Sequence, residues 1–388
     1  MNQLFASTCH RKLFQPLVLG AGILGLCSFA AAKQPTIITF DPPGSVATGV
    51  EQINLWGTIV GLYADANGVY HGFRRTPNGN ITSYDAPDAG EGPGQGTILF
   101  SINTFGVMGG TSNDSNNVLH SFLLTPQGKY TVFDAPDAGR ETGQGTELYN
   151  INDLGEAAGG YIDAGDWTHG TAVWHGFLRA ADGKVKEYDA PGAGTGLGQG
   201  TSTCGGDCLN NPGTIAGGYW DALSVLHAYV RSKDGDITEF DPPGSTYTNP
   251  SGIDLRGDVV GAYTDANGVY HGFFRDKDGH ITDIDVPGAG TGNGQGTIVN
   301  DIADGGAAVG NYIDANNVYH GFLRAPNGAI TKIDVPAAGK GAGQGTTTGA
   351  NNALGLVAGS YIDSNNVYHG FLWIPCDDDH DKDDDHHK

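Results

Sequence analysis

The chain is built from short runs in which apolar and polar residues alternate, and nearly every run stops at Gly, Asn or Asp. "TIVGLY" from Thr58, "HGFRR" from His71 and "ITSYD" from Ile81 show the pattern, and a further run ends at Ile53-Asn54. Alternation with a period of two predicts strands. The segments between them, "NLWG", "DANG" and "PNG", carry the chemistry of tight hairpin turns, in which a type I′ turn needs positive φ at both central residues. The prediction is four antiparallel strands, a to d, in about fifty residues.

The set recurs along the chain. A His two residues before an aromatic stands at His71, His120, His175, His227, His271, His320 and His369, in steps of 49, 55, 52, 44, 49 and 49 residues. A G-x-x-x-G precedes each, from Gly57/Gly61 to Gly355/Gly359. Strand d ends in Asp at Asp41, Asp85, Asp134, Asp189, Asp241, Asp285 and Asp334, so one copy of d precedes the first His and none follows the last. The N-terminal strand must then complete the C-terminal unit. The expected fold is all-β, a seven-bladed β-propeller of four-stranded antiparallel blades closed by that strand.

The repeated motif reads His-Gly-Phe in five units, His-Ser-Phe at 120–122 and His-Ala-Tyr at 227–229, within a frame of Ile-Asn, Gly, Tyr-x-Asp and Asp-x-Pro-Gly-Ala. Over residues 36–374 it resembles the HAF family of extracellular repeats, in a Gly-preferring form. The resemblance implies an extracellular β repeat protein and brings no catalytic residues with it.

Composition agrees with tight turns and many strands: the chain has 64 Gly and only 16% charged residues. His10, Arg11 and Lys12 precede an apolar run that ends in Ala30-Ala31-Ala32, which reads as a secretory signal over 1–32, cleaved near Lys33. The repeats occupy 33–375 and an acidic, His-rich tail 376–388. Loss of Arg11 and Lys12 takes the formal charge from −23 to −25. Such a surface repels phosphate backbones and anionic lipid, so nucleic acid and membrane surfaces are excluded as partners. No other apolar run approaches the ~20 residues of a membrane helix. The expectation is a monomer that is secreted, extracellular or periplasmic, with Cys204 and Cys208 joined in a short disulfide.

Four copies of the b–c turn pair an Asp with an Asn two residues later: Asp65/Asn67, Asp265/Asn267, Asp314/Asn316 and Asp363/Asn365. These are the candidate metal residues and calcium the candidate ion. One such turn supplies too few of the six to eight oxygens calcium takes, and an Asx-capped turn explains the same residues. The repeated His is expected to be buried between blades, satisfied by the Asp that ends strand d. The Gly-rich d–a connectors emerge beside the b–c turns and should form one rim with them, the default ligand surface.

The repeat is least regular in its third and fourth units. An insertion there brings Asp166, Trp167 and His169 after Asp163, and Trp220-Asp221 follows. Trp beside carboxylates can stack on a sugar ring while Asp binds its hydroxyls. These six residues are the ligand-site candidates. The preferred reading is a binding or adhesion propeller for glycans or an extracellular partner. The alternatives are a glycan hydrolase or lyase acting through Asp163, Asp166 or Asp221 with His169, and a purely structural envelope protein. Glu is scarce and no nucleophile motif appears, which favours binding over catalysis.

Overall fold

The alternating runs become strands of four to seven residues. The computed structural model describes residues 34–165 and 172–376, and within them the chain forms 28 strands and no helix. The signal segment 1–32, the tail after Cys376, and Asp166, Trp167 and His169 lie outside the described residues. In the first unit strand a is Ala47–Ile53, b is Ile59–Ala64, c is Tyr70–Arg75 and d is Ile81–Tyr84, each antiparallel to its predecessor. This order repeats along the chain. The last unit holds Gly345–Asn351, Val357–Ile362 and Tyr368–Ile374, and Thr36–Phe40 takes its fourth place, with Thr36 opposite Ile374 and Phe40 opposite Gly370.

The two glycines of each G-x-x-x-G do different jobs. Gly57, at φ 81°, closes the a–b turn. Gly61 lies inside strand b, where a Cβ would stand 2.1 Å from the Gly49 carbonyl oxygen and 2.9 Å from the Phe73 ring. The carbonyl is pushed inward where the a–b register shifts between Val50 and Gln52, and Phe73 is fully buried beneath it. In the His-Gly-Phe motif the glycine likewise clears space for a large neighbour: Leu99 over Gly72, and the Phe40 ring over Gly370.

The hairpin turns correct one expectation. In the Asp65–Gly68 turn only Gly68 has positive φ, 78°, and in other units the same place is held by Asn117, Ser224, Gly268, Asn317 and Asn366. This is a type I turn followed by one left-handed residue, not type I′. The reason is local: Asp65 Oδ1 accepts the N–H groups of Asn67 and Val69 and so closes the turn with Gly68 as its one left-handed residue.

Neighbouring units are joined by parallel bridges, Tyr70 with Gly96, Leu119 with Gly145, Trp174 with Gly200, Tyr270 with Gly296 and Tyr319 with Gly345. Each bridge sits beside a long Gly-rich connector. The two short "DPPGS" connectors, at 41–45 and 241–245, make none, so the strands divide into sheets of 12 and 16 and no sheet closes on itself. Units nevertheless meet across both of these joints. Asn352 Nδ2 donates to the Asn54 carbonyl at 2.9 Å, and Asn210 Nδ2 to that of Asp254 at 2.9 Å. The same amide hand-over runs from Asn54 to Asn103, Asn103 to Asn152 and Asn152 to Asn210. It lapses where Asp254 and Ala303 replace the amide.

These amides line a cavity of about 330 Å³ to which every unit contributes. Four-stranded antiparallel sheets arrayed about a common cavity make the fold β-propeller-like. The expected disulfide is present, and its loop reaches into the centre: a Cβ on Gly206 would stand 1.9 Å from the Ser251 carbonyl oxygen, and Asp207 lines the cavity.

Burial raises the Asp207 carboxyl well above its ordinary range, and Asp301, Asp304 and Asp153 add like charge. Burial also takes Asp301 up to about 7, although its oxygens accept the Ile302 and Asn351 N–H groups. A carboxyl raised on folding holds its proton in the native state and loses it when unfolded. Its contribution is therefore complete below pH ~4 and declines as pH climbs towards 7. Denaturant titrations at stepped pH should show a shallower decline over this window in Asp301→Asn than in the wild type. An unchanged slope would rule out Asp301 as the titrating group.

Candidate functional site: the clefts of the loop rim

The b–c turns and d–a connectors share one end of the strands, as expected, and there the repeated His is held. Its Nδ1 meets the Asp that ends strand d: His71 with Asp85 at 2.7 Å, His227 with Asp241 at 2.7 Å, His320 with Asp334 at 2.9 Å. In the last unit the partner is Asp41, from the other end of the chain, at 2.7 Å from His369. The expected Asp partner is thus correct and the expected burial is not. The His side chains are 22% exposed in His71 and 26% in His227, because a strand-b tyrosine covers one ring face while an edge stays open to the rim. Tyr63 stacks on His71 at 4.9 Å and Tyr312 on His320 at 4.8 Å.

In five units the other nitrogen, Nε2, lies 3.6–3.8 Å from the turn carboxylate, as in His227–Asp221 and His320–Asp314. Imidazole between two carboxylates favours the charged form. The hydrogen bond from Asp189 raises the pKa of His175, and that from Asp334 raises the pKa of His320.

The calcium candidates all adopt one geometry. Asp65 Oδ1 accepts the N–H groups of Asn67 and Val69, and Oδ2 accepts the Asn67 side-chain amide at 3.0 Å. Asp265, Asp314 and Asp363 repeat it bond for bond with Asn267, Asn316 and Asn365. Both carboxylate oxygens therefore close their own turn, and these donors hold Asp65 and Asp265 below the usual carboxylate range. Among the described residues no three His, Cys, Asp or Glu side chains are grouped to hold a metal.

The asparagines of these turns are placed by the same bonds. Asn267 is exposed and its Nδ2 donates to Asp265 Oδ2 at 3.0 Å, and Asn365 is exposed and its Nδ2 donates to Asp363 Oδ2 at 3.0 Å. Asn267 and Asn365 thus act as turn-closing donors through nitrogen. Asn67 and Asn316 make the same bond but also line clefts of the rim.

Each long connector is stapled by a glutamine. Gln95 Oε1 accepts the Gly92 N–H, and its amide nitrogen reaches Asn117 Oδ1 in the next unit's turn at 3.1 Å. Gly94 N–H donates back to Gly68 in the preceding turn. Gln144, Gln199, Gln295 and Gln344 make the same inner bond. Each connector thus reaches the turn of the next unit, and in the first and sixth units a cleft lies between the connector and its own unit. In the first unit the cleft is about 460 Å³, lined by residues that include Asp65, His71, Asp85 and Glu91. In the sixth it is about 580 Å³, lined by residues that include Asp314, His320, Asp334 and Lys340.

Of the six ligand-site candidates, Asp163, Trp220 and Asp221 are described. Asp163 Oδ1 accepts the Gly165 and Val173 N–H groups, and Asp221 Oδ1 those of Leu223 and Val225. The two carboxylates thus close equivalent turns in successive units instead of converging as a pair. Trp220 is half-buried, and its carbonyl accepts the Gly194 N–H from the connector. Sequence reasoning overlooked the glutamine staples, although "GQGT" appears five times. It also overlooked the opposite face, where the tips of the a–b turns expose Trp56, Phe105, Leu154 and Leu354. The two faces are chemically distinct, one polar and cleft-bearing, the other apolar at its turn tips.

No protein-family model matches the chain, and no curated protein matches it. Among solved structures it is similar to the BP39L lectin from Burkholderia pseudomallei at a TM-score of 0.54 and 9% identity, over 86% of this chain and 98% of that one. It is also similar to puromycin hydrolase, at 0.48 and 12% over 84% of this chain, and spans about half of that protein's length, 55%. A fungal lectin from Aleuria aurantia, described as a six-bladed β-propeller, gives 0.39 and 8% over 77% of this chain and 94% of that one. The likeness to BP39L lectin is one of fold.

Proposed function

We propose that this is a secreted seven-bladed propeller, sealed by its N-terminal strand, that binds glycans multivalently through the clefts of its loop rim. Support for the ring comes from the pairing of Thr36–Phe40 with Tyr368–Ile374 and from the cavity that all units line. Support for export comes from the signal-like segment over 1–32 and the pattern shared with extracellular repeats.

The observation that carries the binding reading is the repeated cleft. In the first and sixth units it has a floor fixed by a Tyr-stacked His and its Asp, and a wall fixed by a glutamine-stapled connector. Rigid polar clefts with half-open rings and carboxylates suit hydroxyl-rich ligands, and several per chain multiply a weak single-site affinity. The spreading of Asp163 and Asp221 over successive turns argues against a paired-carboxylate hydrolase. Calcium is retained in the proposal only as a bridge, with the sugar itself supplying part of the ligand set.

A saccharide-binding screen of the secreted protein, with calcium and with chelator, tests it. The expected outcome is binding of at least one polysaccharide with more than one site per chain. Absence of saccharide binding in every condition would end the glycan reading.

A further inference from the structure

The five long connectors share one backbone frame and vary at several exposed positions, one of which directly follows the glycine that packs on the staple. Ten residues separate the Asp that ends strand d from the stapling Gln in each: Asp85–Gln95, Asp134–Gln144, Asp189–Gln199, Asp285–Gln295 and Asp334–Gln344. Within this span a buried glycine packs on the Gln side chain, and a Cβ there would stand 2.2–2.3 Å from its Oε1: Gly90, Gly139, Gly194, Gly290 and Gly339. The residue that follows is Glu91, Arg140, Thr195, Thr291 or Lys340, exposed in every case. A fixed frame thus presents one acidic, two basic and two neutral side chains.

Both the Glu91 and the Lys340 positions line their clefts. Among the described residues neither side chain has an ion-pair partner, whereas the other charged groups there are already engaged. Asp65 and Asp314 close turns, and Asp85 and Asp334 hold His71 and His320. The uncommitted charge of each cleft is the residue at this one position.

We infer that this position sets what the cleft beside it accepts, and that Lys340 selects an anionic sugar unit, carboxylated or sulfated, which Glu91 rejects. This rests on the glycan reading above. A compact ammonium at the mouth can meet a sugar carboxylate or sulfate while the His–Asp floor meets hydroxyls. A carboxylate in the same place repels it. The propeller would then carry unlike sites in its first and sixth units instead of equal ones, able to bind a mixed polysaccharide.

Calorimetry on the full secreted protein tests this with tetragalacturonate, its methyl ester and a sulfated carrageenan tetrasaccharide. The proteins compared are the wild type, Lys340→Glu, Glu91→Lys, and Lys129→Glu as a matched charge swap on an outer turn. Lys340→Glu should lose one anion-binding site per chain, Glu91→Lys should gain one, and Lys129→Glu should leave the number unchanged. A response confined to one of the two anions supports the inference and names the anion. Saccharide binding with the same anion stoichiometry in all four proteins would overturn the inference and leave the glycan reading standing. An equal loss in Lys129→Glu would also overturn it. Binding of no saccharide by any protein would overturn both.

Discussion

Replacing Gly310 by alanine is expected to lower Tm by at least ~5 °C, while the same change at Gly305 moves it by no more than about a degree. The two lie five residues apart in one unit, Gly305 exposed in the a–b turn and Gly310 buried in strand b, and neither has the positive φ that would itself penalise alanine. At Gly310 a Cβ would stand 2.1 Å from the Ile298 carbonyl oxygen, 2.8 Å from Val299 Cα and 2.9 Å from the buried Phe322 ring. Two of these are backbone atoms in a paired strand that cannot move away without breaking the a–b ladder, so overpacking should cost about 3 kcal/mol or more. At Gly305 nothing lies within 4 Å. Thermal melts of both variants settle the matter, and an unshifted Gly310→Ala would show that the register shift between Val299 and Asp301 relaxes freely. Gly61, Gly110, Gly159, Gly261 and Gly359 make the same close approach, so the motif marks packing, not flexibility.

That distinction shows which parts of the molecule its sequence exposes. Strand identity, order and the outlying N-terminal strand were legible because alternation, turn residues and repeat spacing are local signals, and Tyr70, His71 and Phe73 fall on strand c as expected. The His–Asp pairing was legible too, since both residues recur at fixed offsets. What escaped was long-range. Whether units join through a parallel bridge depends on how a connector folds back, so "DPPGS" gave no sign that it interrupts the sheet. Likewise the Asn54-to-Asn103 bond links residues 49 apart, and nothing near either names the other. The ligand site was sought where the repeat is irregular, in Trp220 and Asp221. The two clefts at Glu91 and Lys340 lie in regular units, and what the sequence did not show is that these side chains line a cleft whose other charged groups are already engaged.

The largest effect is expected from removing the N-terminal strand. Deleting residues 34–41 should lower Tm by roughly 10 °C or more and drive aggregation. Thr36–Phe40 covers the edge of Tyr368–Ile374, and without it a strand bearing the buried Leu372 and Trp373 presents unpaired N–H and C=O groups. The segment also joins both ends of the chain. Ile37 packs on the cluster around Trp373, while the Phe40 ring meets Phe73 of the first unit edge-on at 6.0 Å, with Arg75 over its other side at 5.0 Å. Asp41 then binds His369 through one oxygen and the Thr48 hydroxyl, at 2.7 Å, through the other. A single segment therefore supplies a ladder, part of two cores and a carboxylate shared by the first and last units, so its loss opens the joint on both sides at once. Adding a peptide of residues 34–42 in trans should restore most of the lost stability, since the edge it pairs with stays in place. Truncation after Cys376 is the control and should leave Tm unchanged. If the strand-deleted chain melts within two or three degrees of the full one, or if the peptide gives no recovery, the N-terminal strand does not seal the ring, and the contacts between Asn352 and Asn54 must hold the joint by themselves.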